Sequence, residues 1–191
     1  MGDPPPTKIF IDFACATLSD ENTLALARYI TMDPGGNAQL HLDAYLKGTG
    51  IDMKVNLSKV LVDDEGVREE VTREIMLAVQ KGRTSGSVAI PQSKYSNHDW
   101  QFAIGSMNIN WSVVPGTTKY RLNFRNKYRW HPNEARQTQC VHKAAENLKL
   151  KGAKDYWMYG DAVVEIATED NVSKGWSNFK NPILKVLSSP L

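Results

Sequence analysis

The segment Lys119-Tyr-Arg-Leu-Asn-Phe-Arg-Asn126 decides the fold of this chain, because its side chains alternate between apolar and basic. One side of the segment carries Tyr120, Leu122 and Phe124, and the other side carries Lys119, Arg121 and Arg125. A period of two is typical of a strand that has one buried face and one face in water. We therefore predict a half-buried strand here.

A basic turn and a helix are predicted to follow this strand. The turn is Lys127-Tyr-Arg-Trp-His131, and Pro132-Asn-Glu134 is typical of a helix start, since proline fits the first turn, asparagine caps and glutamate faces the positive helix end. The apolar stripe of the helix, spaced i, i+3, i+4 and i+7, consists of Val141, Ala144, Ala145 and Leu148. Gly152 ends the helix, and residues 155–168 return as one or two strands. The polar residues dense enough for chemistry lie at residues 125–136, which we call the hinge.

Length and composition indicate one compact domain. With 191 residues, of which 41% are apolar, the chain can bury a core without a disulfide or a metal ion. Its two cysteines, Cys15 and Cys140, are far apart and lack the spacing of a zinc site. Residues 1–6 do not resemble a signal peptide, and no apolar run reaches the ~20 residues of a membrane span. We therefore expect neither a signal peptide nor a transmembrane segment.

The basic residues are concentrated around the hinge. Although the net charge of the chain is +2, the stretch from Gly116 to Lys154 holds ten basic and two acidic residues. A patch of this kind attracts anions. Arginine forks suit phosphate or carboxylate, so Arg125, Arg129 and Arg136 are candidates for binding. Lys149, Lys151 and Lys154 are interpreted as a solvated helix face.

No catalytic feature is predicted in the N-terminal half. Its elements are a strand at Lys8–Phe13, a helix from Ser19, a hairpin of Gln39–Tyr45 with Ile51–Leu57, and a helix from about Asp63 to Gln80. The last of these carries the apolar stripe Val67, Val71, Ile75, Ala78 and Val79.

Short strands are predicted from Gly86 onward, at Ser87–Ile90, Trp100–Ile104 and Met107–Val113. Together with the strands around the hinge they predict an α+β fold, in which helices pack on an antiparallel sheet or a partly open barrel. We divide the chain into an N-terminal strand-helix-strand annex at residues 1–50, an α+β domain at 51–170 and an irregular tail at 171–191. The three parts are expected to form one compact unit.

Most sequence motifs of known chemistry are missing. There is no phosphate-binding glycine loop, no Gly-x-Ser-x-Gly and no His-Glu-x-x-His. Cys140 and His142 do not form a nucleophile pair, because two residues of a helix that are two positions apart point about 200° away from each other. The aromatic residues of the region are interpreted as core or rim packing rather than as base-stacking platforms, so nucleic acid is not expected as a partner. These residues are Trp130, Tyr156, Trp157 and Tyr159.

The order of elements resembles one known family. The segments concerned are Gln80-Lys-Gly82, Ile90-Pro91, Asp99 to Trp111, Asn126-Lys-Tyr128 and Lys154-Asp-Tyr156 with Gly160 and Ile166. In this order, residues 51–170 resemble the C-terminal activity domain of colicin M and related lipid II-degrading bacteriocins. The resemblance implies an α+β domain that cleaves the phosphoester side of the lipid II pyrophosphate, with magnesium as cofactor.

The resemblance extends to only part of the catalytic motif of that family, an Asp-x-Tyr-Asp turn followed by a His-Arg pair. Tyr128 matches the tyrosine and Arg136 the arginine, whereas Asn126, Arg129 and Ala135 replace the two aspartates and the histidine. Asparagine is neutral and Arg129 repels cations, so these positions are not metal ligands, and we assign no metal ligand.

In a catalytic hinge, acid and base chemistry would pass to His131 and Glu134. The predicted catalytic residues are then Tyr128, His131, Glu134 and Arg136, and the predicted substrate-binding residues are Arg125, Asn126 and Arg129. The alternative is structural: His131 makes a hydrogen bond at the helix cap, and Glu134 interacts with the helix dipole.

Three functions are consistent with these residues. The first is an antibacterial toxin or effector domain resembling colicin M, a hydrolase of the phosphodiester or pyrophosphate type that acts in the periplasm on lipid II or another lipid-linked or cell-wall phosphate. Such a protein would be cytoplasmic before delivery and would have an immunity protein or a secretion-system carrier as partner. The second is a non-enzymatic binding module whose basic patch holds an anionic ligand or partner. The third is a structural or assembly protein whose arginines only form ion pairs. Whether the protein is an enzyme stays open at this level.

Overall fold

A computed structural model of the chain describes residues 36–129, 148–167 and 183–187. The chain divides into two compact units. The first unit combines Met1–Ile51 with Tyr128–Tyr156, and the second combines Asp52–Lys127 with Trp157–Leu191. The predicted strand at Lys8–Phe13, the helix from Ser19 and most of the helix after Glu134 lie outside the described residues.

Helices and one six-stranded sheet make up the described elements, which confirms the predicted α+β class. They are α1 (Asn37–Leu46), β1 (Met53–Lys54), α2 (Leu57–Asp63), α3 (Glu65–Gln80), β2 (Ser85–Ile90), α4 (His98–Ile104), β3 (Met107–Val113), β4 (Lys119–Tyr128), β5 (Tyr156–Ala167) and β6 (Ile183–Leu187), with a 3-10 turn at Gln92–Lys94.

The strand order of the sheet is β1-β5-β4-β3-β2, and β6 also pairs with β5. The pairs β2 with β3, β3 with β4 and β5 with β6 are antiparallel, whereas β1 runs parallel to β5. Since β4 occupies one edge of β5, β1 and β6 share the other edge, at Met158–Tyr159 and at Val163–Ala167. The described strands therefore form an open, mixed sheet rather than a closed barrel.

Strand β4 has the alternation that the sequence predicts. Leu122 and Phe124 are buried, whereas Arg121, Asn123 and Arg125, which lie beside and between them, are exposed. On the buried side of the sheet, α3 packs against β2 and β6, and α2 packs against β6. Burial of this apolar face removes it from water and is the main favourable term in folding of the unit.

The predicted helix from Asp63 to Gln80 is confirmed as α3, with Val67, Val71 and Ile75 fully buried along its stripe. Its N-cap is Asp64, which is 0% exposed and separates α3 from α2. The carboxylate of Asp64 accepts hydrogen bonds from the backbone N–H groups of Val67, Ser96 and Asn97 and from the Ser96 hydroxyl. Asp64 thus caps α3 and fixes the loop before α4.

Three predictions of local structure are wrong. Gln39–Tyr45 belongs to helix α1 rather than to a hairpin strand, because the buried residues Ala38, His41, Leu42 and Tyr45 follow the helical period and Leu40 is exposed. Trp100–Ile104 belongs to helix α4, whose start is capped by the Asn97 side chain. The tail is not wholly irregular, since Ile183–Leu187 pairs with β5.

The first unit is described at α1, at residues 128–129 and at residues 148–156. Residues 148–150 are helical, in line with the predicted end of the helix before Gly152. The Lys154 N–H donates to the Tyr45 carbonyl oxygen at 3.1 Å, which ties this segment to the C-terminal end of α1. Gly48 has a φ of 64°, and a Cβ there would lie 2.0 Å from the Gly152 carbonyl oxygen, so the close approach requires glycine.

Candidate functional site

The outward side of β4 carries a row of cations. Lys119, Arg121, Arg125 and Lys127 are exposed at alternate positions, with Asn123 between the two arginines. Successive side chains of one strand face lie about 6.6 Å apart, so the charges form a line along the sheet. In the part of the chain that the structure describes, no carboxylate pairs with Lys119 or Arg121. Within the described residues, these two exposed charges therefore have no carboxylate to neutralise them.

Arg125 stacks on an aromatic ring of the neighbouring strand. Its guanidinium carbon lies 4.5 Å from the ring centre of Trp157, which is the geometry of a cation–π contact. Asp52 holds both residues, because its carboxylate lies 3.9 Å from the Arg125 guanidinium and accepts the backbone N–H of Trp157 at 3.2 Å. The arrangement orients the planar guanidinium on the open face of the sheet.

Strand β5 adds a second exposed aromatic residue. Trp157 is 40% exposed and Tyr159 is 42% exposed, and the two occupy the same side of the strand. The intervening Met158 is fully buried. The cations of β4 and the rings of β5 thus belong to one surface of the second unit, which we call the sheet face.

Amides and carboxylates complete the sheet face. Asn110 of β3 pairs with Asn123 of β4, and their side-chain amides lie 3.5 Å apart. The carboxylates of β5 lie beyond Tyr159. Asp161 is 3.6 Å from Lys54, and Glu165 accepts the hydroxyl of Thr118. The part of the sheet face that β4 forms is therefore positively charged, whereas the later part of β5 carries carboxylates.

Among the predicted substrate-binding residues, Asn126 has a structural role. Its amide Nδ2 donates to the carbonyl oxygens of Ile104 at 3.0 Å and Ser106 at 2.7 Å, and its Oδ1 accepts the Lys127 N–H. These contacts fix the turn between α4 and β3 against the end of β4. A carboxylate could not donate those two bonds, which gives a physical reason for asparagine at this position.

The predicted catalytic Tyr128 lies in a buried aromatic cluster of the first unit. Its ring stacks on Tyr156 at a centroid distance of 5.2 Å and on His41 at 5.7 Å, and it tilts against Tyr45 at 5.9 Å. Tyr128 is only 7% exposed. The ring of Tyr128 is therefore packed among other buried rings of the first unit.

The hydrogen bonds of this cluster indicate that His41 carries a proton on Nδ1. The hydroxyl of Tyr156 donates to the main-chain carbonyl oxygen of His41 at 3.0 Å and lies 2.7 Å from His41 Nδ1. A tyrosine has a single hydroxyl proton, so the second contact must be donated by His41 Nδ1–H. The histidine is then a fixed structural group that joins α1 to the start of β5.

Burial keeps Tyr45 and Tyr156 of the cluster neutral. It raises the pKa of Tyr45, and the negative charge of Asp155 raises it further. Burial also raises the pKa of Tyr156. Within the described residues the Tyr45 hydroxyl has no hydrogen-bond partner, and ionising it there would place an unpaired charge in the interior.

The remaining predicted site residues are placed only in part. Arg125 is exposed on the sheet face, and Arg129 is exposed directly after β4. His131, Glu134 and Arg136 lie outside the described residues, so the predicted assignment of acid, base and anion clamp stays a prediction. Among residues 36–129, 148–167 and 183–187, no three His, Cys, Asp or Glu side chains lie together as a metal site would require.

Sequence reasoning did not identify two features of these sites. Of the four aromatic residues interpreted as core or rim packing, Tyr156 is buried, Trp157 and Tyr159 are exposed, and Trp130 lies outside the described residues. Side chains of a strand alternate between its two faces, so once Tyr156 is known to be buried, the alternation predicts that Trp157 and Tyr159 are exposed. The buried position of His41 was not predicted, because residues 39–45 were assigned to a strand instead of to helix α1.

Comparison of the chain with protein-family models, with curated proteins and with solved structures gave no match. In the described part of the chain, no helix is both long and apolar enough to cross a membrane.

Proposed function

We propose that this protein is a binding module that holds an anionic ligand on its sheet face. The observation that carries the proposal is the row of four exposed cations on β4, two of which have no carboxylate partner among the described residues. Structural arginines and lysines are expected to be neutralised by nearby carboxylates, as Lys94 and Arg73 are by Glu70. Lys119 and Arg121, which have no carboxylate partner among the described residues, instead leave a net positive charge on the sheet, and such a charge attracts anions.

Immobilised heparin, used as a polyanion probe, tests this function. We expect Arg121→Gln combined with Arg125→Gln to lower the salt concentration at which the protein elutes, because both cations face the ligand. The matched control is Lys81→Gln combined with Arg83→Gln, which removes the same charge from exposed positions between α3 and β2. Equal elution of the two double variants would refute the proposal, since the effect would then reflect net charge alone.

A colicin M-like toxin or effector domain is the second candidate, with a lipid-linked or cell-wall phosphate in the periplasm as its substrate. What supports it is the element order: β2 ends at Ile90 before Pro91, β4 runs to Tyr128, and β5 begins at Tyr156. The structural role of Asn126 and the burial of Tyr128 weigh against it. Incubation with lipid II, with and without magnesium, separates the two functions, because only the toxin would consume the lipid.

A further inference from the structure

A surface that binds anions by charge alone does not need exposed aromatic rings, but the sheet face has two, Trp157 and Tyr159. Large aromatic side chains left in water on one side of a strand commonly mark an interaction surface. The two rings project from alternate residues of β5, whose Cα atoms lie about 6.6 Å apart in a strand. Two planar groups at this separation can each accept one ring of a ligand whose rings are spread along a chain.

Arg125 provides a third planar group next to these rings. Its guanidinium lies over Trp157, and arginine planes stack on nucleobases as aromatic rings do. The same group can form ion pairs with phosphate. The site therefore offers stacking and charge from adjacent positions, which a ligand with only carboxylates or sulfates cannot use in full.

The amides of Asn110 and Asn123 lie on the strands beside this position. An amide side chain has both donors and acceptors, as the edges of nucleobases do. Beyond Tyr159 the carboxylates of Asp161 and Glu165 discourage an anionic backbone, so such a backbone is directed along β4.

From this arrangement we infer that the ligand of the sheet face is a single-stranded nucleic acid. Its bases stack on Trp157, Tyr159 and Arg125, and its phosphates face the cations of β4. A duplex hides its base faces inside the helix, so only an unpaired strand can use the rings. The inference rests on the proposed function, and it adds the chemical class of the ligand.

Fluorescence anisotropy with labelled oligonucleotides of about 12 nucleotides, which is within the usual site size for a single strand, tests the inference. The probes are oligouridylate, oligothymidylate, a duplex of the same length and a labelled polyglutamate, all at about 0.1 M salt. We expect either single strand to bind more tightly than the duplex. Trp157→Ala and Tyr159→Ala should each weaken single-strand binding about 5- to 100-fold and leave polyglutamate binding unchanged.

Two control variants accompany these measurements. Phe102→Ala removes another exposed ring, 45% exposed on α4, and should not change any affinity. Arg121→Gln combined with Arg125→Gln should reduce the slope of log affinity against log salt by about 1.4, since each phosphate contact of a single strand contributes about 0.7. A thermal midpoint measured for each variant verifies that the fold is retained.

The outcomes separate this inference from the function on which it rests. If the double arginine variant loses affinity while Trp157→Ala and Tyr159→Ala bind like the wild type, anion binding stands and the nucleic-acid inference is overturned. Duplex binding as tight as single-strand binding also overturns it. If neither the oligonucleotides nor polyglutamate bind, the proposed function fails as well.

Discussion

At the scale of single residues, the side-chain amide of Asn126 serves the fold. The resemblance to colicin M aligns it with an aspartate that would act in catalysis. In this chain its amide instead donates to two carbonyl oxygens, of Ile104 and Ser106. The two roles require different chemistry, because donation needs an N–H group and cation binding needs a negative oxygen.

Replacing Asn126 by aspartate tests this interpretation. The carboxylate would lose both donated bonds and would face two carbonyl oxygens, so we expect the free energy of unfolding to fall by about 1–3 kcal/mol. Asn123→Asp is the control, since Asn123 is exposed on the same strand, and a surface change of this kind should stay within about 0.5 kcal/mol. Urea denaturation measures both. If Asn126→Asp were as stable as the wild type and gained lipid II cleavage, the structural role would be refuted.

At the scale of elements, β6 is held in place by contacts with distant parts of the chain. It pairs with β5 and packs against α2 and α3, and Leu184 is buried opposite Ile166. The next residue, Lys185, is exposed opposite Glu165. Adjacent residues of this strand thus differ in environment.

Substitution by asparagine at these two positions tests the assignment of β6. Leu184→Asn places an amide in the apolar core and removes buried surface, so we expect a loss of about 2–4 kcal/mol in the free energy of unfolding. Lys185→Asn should change it by less than about 0.5 kcal/mol. Chemical denaturation of the two variants side by side is sufficient. Similar losses at both positions would mean that the tail does not form this strand.

How far the elements can be predicted from sequence depends on where their contacts lie. Strand β4 has a long, regular alternation of apolar and polar residues, and α3 has a long apolar stripe with the helical period. Both elements are predicted correctly. In contrast, α1 and α4 contain short apolar runs that fit either period, and a local cap at Asn97 decides the second case. Strand β6 depends on pairing with β5, which no local pattern encodes. The exposed position of Trp157 likewise depends on which side of β5 meets the helices.

At the scale of the whole molecule, burial governs how stability responds to alkali. Among the described residues, burial raises the pKa of Tyr45 and Tyr156 in the first unit and of Tyr95 and Tyr120 in the second. An unfolded tyrosine loses its proton near pH 10. The folded protein holds these protons to higher pH, so their contribution to stability is complete below about pH 10 and is lost as the pH rises above it.

We therefore expect the folded protein to resist deprotonation and then to lose its structure when the pH is raised. Tyrosinate absorbance should increase in two stages, first from exposed residues and then from the buried ones, and the second stage should coincide with the loss of the circular dichroism signal of the helices. Tyr156→Phe provides the specific variant. It removes one buried ionisable group, so its stability should decline less between pH 10 and pH 12 than that of the wild type, although the lost contacts with His41 lower its stability at neutral pH. A single smooth titration of all seven tyrosines near pH 10, with the helical signal intact, would contradict the burial of this cluster.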